Sequence, residues 1–523
     1  KAAVYASEAT GMNISVGRIS LSFPLNLVVT NVDAASPHND TLLSVRRLQV
    51  NVQLLPLLKK QVEVDGISLQ GATVNSNDLI HGMKLNGTLG ELFISSHGVA
   101  LDPETAIVNK VLLKDTDLSL CLNDTAAADT AASDTTYWKI ILQDIDLQNV
   151  SFALDMPLDS LSLAASLDNA ILRDGLIDLH KSAYSLQTFR IENGRVRYDN
   201  GKPLAADSLS SGLDPSHIAL TDIGVKLDSL YYGGRNMKAI ISQFVLKERS
   251  GVEIVSATGR MVSNDKVLRV PSLKLETRDS YLELNAAMDW NALDFKDEGL
   301  VSARLMADIG KPDVVRFMGS MDEKFIRQYP SEPLRIRTGI DGDLNKLKLT
   351  TLTAELPGAL GLFARGELTH LTDSLLRGGD ITLEAETKDL KFVSTLAEGI
   401  EIPYGTRLEG KFTMAGTKMG TDLLLMQPEA QAVVAADTIP ITVYNDSISV
   451  ADDFKMERAA RLFAKYDLSR DRYEADLAVN HFDLHQFMPA DSLYTLSTRL
   501  KVEGEGFDFF SPRTYFNAEG GID

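Results

Sequence analysis

The sequence predicts a mainly β protein with few short helices, built as a sandwich, a barrel or a long meandering sheet whose apolar face must meet something. Three observations lead there. Apolar residues fall at every second position in segment after segment, which gives each strand one apolar and one wetted face. Gly- and Asn-containing turn dipeptides separate many of these segments. Helical periodicity is confined to two short stretches.

The elements follow in chain order. Between Gly11 and Val74 the chain reads as short strands, with Ile14 and Val16, then Leu27, set among polar neighbours. Leu48, Val50, Val52 and Leu54 alternate with Gln49, Asn51 and Gln53, so the two sets face opposite ways. Val64, Ile67 and Leu69 continue the pattern. With Leu147 and Phe152 further on, the candidate groove-lining set is Ile14, Val16, Leu27, Leu48, Val50, Val52, Val64, Leu69, Leu147 and Phe152. Later strands are expected at 138–142, 145–154, 189–198, 218–227, 268–275, 281–288, 301–309, 334–340, 347–356, 381–385 and 408–414. Asn193-Gly194, Asn200-Gly201, Gly233-Gly234, Asn264-Asp265 and Gly378-Gly379 are the expected turns. Ile67 to Val74 (ISLQGATV) is echoed by Ile145 to Phe152 (IDLQNVSF) and more loosely by Phe189 to Tyr198. Unequal separations exclude a strict solenoid period and suit a sheet extended by repeated strand addition.

Pro312 to Tyr329 is the best helix, with Val314, Phe317, Met318, Met321 and Phe325 on one face. A shorter one is expected from Asp389 to Leu396. The stretches 123–136 and 200–216 are polar connectors, the first rich in Ala, Asp and Thr.

Composition narrows the function. The 523 residues are 44% apolar and 24% charged, as in a folded protein, with aromatics at only 7%. A net charge of −20 repels nucleic-acid phosphates, so no nucleic-acid partner is expected. Cys121 is the single cysteine, which rules out an intramolecular disulfide and a cysteine-based metal site. No run approaches the roughly 18 apolar residues of a membrane-spanning helix.

No catalytic, metal or cofactor site emerges. His481 and His485 have the spacing of a shared helix face, but no third zinc ligand accompanies them. Ser263-Asn-Asp-Lys266 has the Ser-x-x-Lys spacing of some acyl-enzyme hydrolases, yet its flanks place it in a hairpin turn rather than at a helix start. Asp341-Gly-Asp343-Leu-Asn345 lacks the closing ligands of a calcium loop and reads as a turn. The chain is therefore expected not to be an enzyme. Asp-Ser/Thr-apolar triplets at Asp40, Asp124, Asp129, Asp228, Asp373 and Asp491 are similar to an O-glycosylation acceptor of some Gram-negative bacteria, and equally fit turn chemistry.

The strand ending in Phe23-Pro24-Leu25, the turn Leu54-x-Pro56-Leu57-Leu58 and Val64-x-x-Ile67-x-Leu69-x-Gly71-Ala72-x-Val74 together resemble the amino-terminal region of AsmA-like and TamB-like envelope proteins. These are similar to the bridge-like lipid-transfer proteins, and the resemblance implies an elongated, curved, taco-like antiparallel β-sheet with a continuous hydrophobic groove. The resemblance covers about the first sixth of the chain. It implies a periplasmic protein anchored in the inner membrane of a Gram-negative bacterium, conducting phospholipid between the two membranes with acyl chains in the groove. It also allows assembly of outer-membrane β-barrels, with a barrel partner engaged through a missing carboxyl-terminal region; a purely structural β-array is the other alternative. The expected organisation is a helix end at 1–10 after a missing anchor, an AsmA-like β region at 11–122 and a loop at 123–136. Groove-forming sheet at 137–310, a helical insertion at 311–330 and further sheet at 331–523, cut at its end, complete it.

Overall fold

The computed structural model describes residues 7, 12–22, 26–36, 41–52, 64–76, 82–100, 104–123, 137–202, 212–295, 299–318, 322–396, 399–428, 454, 456–490, 494–507 and 514–522. The expected helix end at 1–10 falls almost wholly outside these residues. So do Phe23-Pro24-Leu25 and the turn at Leu54 to Leu58. The described chain is mainly β, with twenty-six strands and four short helices. Its contacts fall into two units. One comprises Lys1–Asp265, Lys274–Arg278 and Arg316–Ser320; the other comprises Lys266–Leu273, Asp279–Val315 and Met321–Asp523.

The first unit begins as an antiparallel series of strands: Asn13–Ser22, Asn26–Ala35, Thr41–Val52, Val64–Asn75, Met83–Ala100 and Thr105–Leu122. The next pairing departs from the all-antiparallel expectation. Lys139–Met156 runs parallel to Thr105–Leu122, with Thr105 opposite Lys139 and Leu120 opposite Leu154. Parallel neighbours cannot share a hairpin and need a return connection. The polar stretch after Leu122 occupies that place in the chain, and residues 124–136 of it lie outside the described residues. Antiparallel pairing then resumes through Leu161–Asp178, Thr188–Asp199, His217–Gly233, Asn236–Glu248 and Glu253–Ser263. The short strand Ala183–Leu186 bridges Leu161–Asp178 and His217–Gly233.

Among the described residues, the strands of the second unit from Tyr281 onward pair antiparallel throughout. They run in sequence order from Tyr281–Asp289 and Leu300–Ile309 to Thr495–Glu505 and Tyr515–Ile522.

Several turn expectations need correction. Gly233-Gly234 does close a hairpin, with Gly233 opposite Asn236. Asn193-Gly194, by contrast, lies inside the strand Thr188–Asp199, and Gly378-Gly379 opens the strand Gly378–Thr387. Asn193 has φ +52, so it supplies a left-handed residue without a chain reversal. The expected turn between Ile340 and Leu347 is formed by Leu344 and Asn345, with Asp341 to Asp343 ending the strand before it: the Asp343 carboxylate accepts N–H groups of Asn345 and Lys346, both at 2.8 Å.

The helices are α1 (Trp290–Leu293), α2 (Lys311–Met318), α3 (Glu323–Gln328) and α4 (Lys391–Ser394). The single helix expected over 312–329 is thus two. Asp322 starts the second by accepting the Lys324 N–H at 2.7 Å. α3 and α4 build the main buried cluster, in which Phe325 meets Phe392 edge-on at 5.6 Å and Tyr329 meets Phe392 at 5.2 Å. Leu334, Leu356 and Leu360 supply the sheet side of this cluster. Burial raises the Tyr329 hydroxyl pKa, and the Tyr329 carbonyl accepts Lys311 Nζ at 2.7 Å.

Phe325 is only 2% exposed, so Phe325→Ala leaves a cavity and is expected to cost about 3–5 kcal/mol. The exposed Phe295, changed the same way, should cost under about 0.5 kcal/mol. Urea unfolding of the two variants measures the difference.

Candidate functional site

Opposed residues in neighbouring strands lie on the same side of a sheet, so the pairing register traces which side chains form continuous rows. In the first unit one row runs Leu27, Val50, Ile67, Ile94, Val111 and Ile145. The next runs Val29, Leu48, Leu69, Leu92, Leu113 and Leu147. Leu27, Val50, Leu48, Leu69 and Leu147, five of the residues the sequence picks out, therefore belong to two adjoining aliphatic rows.

The remaining five lie elsewhere. Val16 faces Val32, and that row continues through Val45, Ala72 and Leu89. Ile14 faces Ala34, while Phe152 faces Leu118 and Ala165. These rows stand apart from the first two by a step of two polar residues in each strand. Val52 opposes Val64 through the backbone, and the side chains of both lie outside the described residues.

The opposite face of the strand Thr41–Val52 is polar from Arg47 to Asn51. Arg47 donates to Gln49 at 3.0 Å and Gln49 donates to Asn51 at 2.9 Å, a ladder at every second residue.

The second unit separates its faces more fully. One row runs Leu284, Leu305, Thr338, Leu352, Ala364 and Leu383, then through Gly410 to Leu423, Leu462, Leu477 and Leu500. The row beside it runs Leu282, Ala307, Ile336, Ala354, Leu362 and Ala385. Between these positions, residues of the other face carry charge. Arg461 holds Asp422 through two hydrogen bonds of 2.9 and 2.6 Å, which raise the arginine's pKa. Lys346 pairs with Glu367 at 3.1 Å and Arg337 with Asp308 at 2.7 Å.

The leucines of the long row are half-buried, apart from exposed Leu500, whereas a closed sandwich core would cover them. Clusters lie at the ends of the strands. The α3/α4 cluster meets Leu334, Leu356 and Leu360, and at the other strand ends Ala292, Val301 and Leu344 pack with Met288, Leu347 and Leu371. The sequence reading placed all its candidate residues in the first unit and missed these rows, although alternation over 281–288, 301–309 and 347–356 already carried the signal.

The polar candidates do not assemble into a reacting centre. His481 sits at φ +45 in the strand Arg472–Asp483, and His485 sits in the 3-10 turn Leu484–Gln486 stacked on Tyr494 at 5.1 Å. The shared helix face expected of the two histidines does not exist, because a strand ends between them. Among the described residues no group of three His, Cys, Asp or Glu side chains is placed to hold a metal ion. Ser263 ends the strand Glu253–Ser263, and Asn264 to Lys266 lead to the strand Val267–Thr277 rather than to a helix start.

Buried His217 stands between two carboxylates, with Nδ1 2.8 Å from Asp214 and Nε2 3.7 Å from Asp199. The hydrogen bond from His217 holds the Asp214 carboxyl below the usual carboxylate range, helped by the Ser216 N–H. Asn200 N–H donates to Ser216 at 3.1 Å beside it, so this group fastens the end of the 200–216 connector.

Among the Asp-Ser/Thr triplets, Asp228-Ser229-Leu230 is inside the strand His217–Gly233, while Asp373 caps a turn by accepting Leu375 N–H at 2.8 Å. Asp40, Asp124, Asp129 and Asp491 lie outside the described residues.

No protein-family model matches the chain, and no curated protein matches its sequence.

Because Leu383 is only half-buried, Leu383→Ala is expected to cost about 1–2 kcal/mol, at or below the low end of the 2–5 kcal/mol typical of closed cores. Chemical denaturation tests this, and a cost near 4 kcal/mol would show that the row is covered.

Proposed function

We propose that the aliphatic rows bind phospholipid acyl chains and that the protein conducts lipid between the inner and outer membranes of a Gram-negative envelope. One observation carries the reading: half-buried leucine rows cross strand after strand, with charge on the opposite face and no ionic group among their members. Each methylene buried there gains about 0.8 kcal/mol, so an acyl chain of a dozen or so gains on the order of ten. A lining without fixed polar anchors holds a chain while leaving it free to slide, as transport requires.

The envelope setting, the periplasmic location and the inner-membrane anchor rest on the resemblance of the first sixth of the sequence to AsmA-like and TamB-like proteins. No helix among the described residues is long and apolar enough to cross a membrane, so any helical anchor would come from outside them. The acidic balance fits a protein that does not bind nucleic acid.

The test is lipid retained by the purified protein, extracted and identified by mass spectrometry. Val50→Asp puts a carboxylate in the row with Leu27 and Ile67, where desolvating it costs several kcal/mol. Bound phospholipid should fall strongly while the protein stays folded. Asn51→Asp, one residue away within the polar ladder, should retain lipid as the parent does. Absence of lipid from the parent, equal loss in both variants, or outright unfolding of Val50→Asp would refute the proposal.

A further inference from the structure

In the first unit seven successive strands, from Asn26–Ala35 to Leu161–Asp178, each carry a step of two polar or glycine residues in their interior, and register places these steps side by side. They are Thr30-Asn31, Arg46-Arg47, Gln70-Gly71, Gly90-Glu91, Lys114-Asp115 and Gln148-Asn149, with Asp168-Asn169 beyond. At this row the ladder skips one pair and resumes in unchanged register: Thr30 faces Arg47 and Val32 faces Val45, while Asn31 and Arg46 form no pair. The same gap recurs between Gln70–Glu91 and Ala72–Leu89, and between Lys114–Gln148 and Thr116–Val150. Asn31, Gly71, Asp115, Asn149 and Asn193 all have φ between +49 and +62. Asn149 donates to Asp115 at 2.9 Å along the row, and a Cβ on Gly71 would stand 3.0 Å from the Arg46 guanidinium.

A second such row crosses Asn109, Gln143 and Asp174. Asn109 donates to Gln143 at 2.9 Å, Asp174 has φ +50, and the pairs Asn109/Gln143 and Gln143/Asp174 are skipped. Here the Arg173 guanidinium donates to the backbone carbonyls of Ile145 and Leu172, at 3.1 and 3.2 Å.

Hydrogen bonding and side-chain facing alternate together along a strand. A pair lost from a ladder that otherwise keeps its register marks a row where both alternations break. We infer that these two polar rows are seams at which neighbouring strands reverse their inside–outside phase together, so that the aliphatic bands on either side share one face. Asn31, Gly71, Asp115 and Asn149 are then positioning residues for the first seam. Without the reversal, aliphatic residues three apart, such as Leu147 and Val150, would face opposite ways.

The reversal also shapes the face. Aliphatic rows flanking a seam stand three residues or about 10 Å apart, against about 7 Å elsewhere. Each seam is therefore a furrow running from strand to strand. Resting on the lipid reading above, this furrow is the lane along which an acyl chain lies, across the strands rather than along them.

The test separates the two ideas. In a Cys121→Ser background, spin labels are placed at Leu147→Cys with Val150→Cys, and at Leu147→Cys with Ser151→Cys. Phase reversal predicts strong dipolar broadening for the 147/150 pair and weak broadening for 147/151. A plain pleat predicts the opposite, and that result, or equal broadening in both, overturns the seam. Leu113, Thr116 and Asp117 on the neighbouring strand allow the same comparison if a labelled variant unfolds. Lipid retention forms the second arm: Val150→Asp should lose about tenfold or more of its bound phospholipid, like Val50→Asp. Expected broadening with Val150→Asp at parental lipid overturns the lane and keeps the seam. Parental lipid in both aspartate variants refutes the lipid reading instead.

Discussion

The backbone ladder between neighbouring strands is the constraint on which the rest of this protein depends. Every strand inside a sheet must find partners for its N–H and C=O groups on both edges, and the register that satisfies them also fixes which side chains stand in line. Because that register is kept over strand after strand in each unit, leucines far apart in the chain fall into continuous rows. Leu305 and Leu477 share such a row through seven intervening strands, although nothing in their local sequence relates them.

The same constraint explains where closed cores form. A single sheet cannot cover its own apolar face, so burial needs another element laid on it. The second unit supplies this with short pieces at strand ends, chiefly the Phe325, Tyr329 and Phe392 cluster over Leu334, Leu356 and Leu360. The middle of the rows has no such cover among the described residues. An aliphatic face built with this regularity and left half-open is costly to expose to water unless it has an occupant, which is the physical basis for reading it as a binding surface.

Polar residues within the described strands hold the structure together. Histidines and carboxylates are spent on fastening connectors, as in the His217, Asp214 and Asp199 group, or on cross-strand pairing, as in Arg461 with Asp422. Asn and Asp recur at strand interiors because they tolerate a left-handed residue better than other side chains with a Cβ. The echo between ISLQGATV and IDLQNVSF has this origin: Gln70-Gly71 and Gln148-Asn149 occupy one row of the sheet, three pairings apart.

Alternation by itself determined a great deal. It fixed the mainly β class, the opposed facing of Val50 and Asn51, and the placement of Leu27, Leu48, Leu69 and Leu147 on aliphatic rows, because a period of two is a local property of a pleated strand. Local sequence could not decide what lies beside what. Asn193-Gly194 carries the chemistry of a hairpin turn, yet its neighbours hold both flanks in continuous pairing and make it a step inside one strand. The parallel pairing of Thr105–Leu122 with Lys139–Met156 was equally illegible, since direction depends on how the chain returns and not on either strand's pattern. Ile14, Val16 and Phe152 lie beyond the polar step, where facing depends on whether all strands change phase together. That is a property of the paired sheet, so only the tertiary structure could settle it.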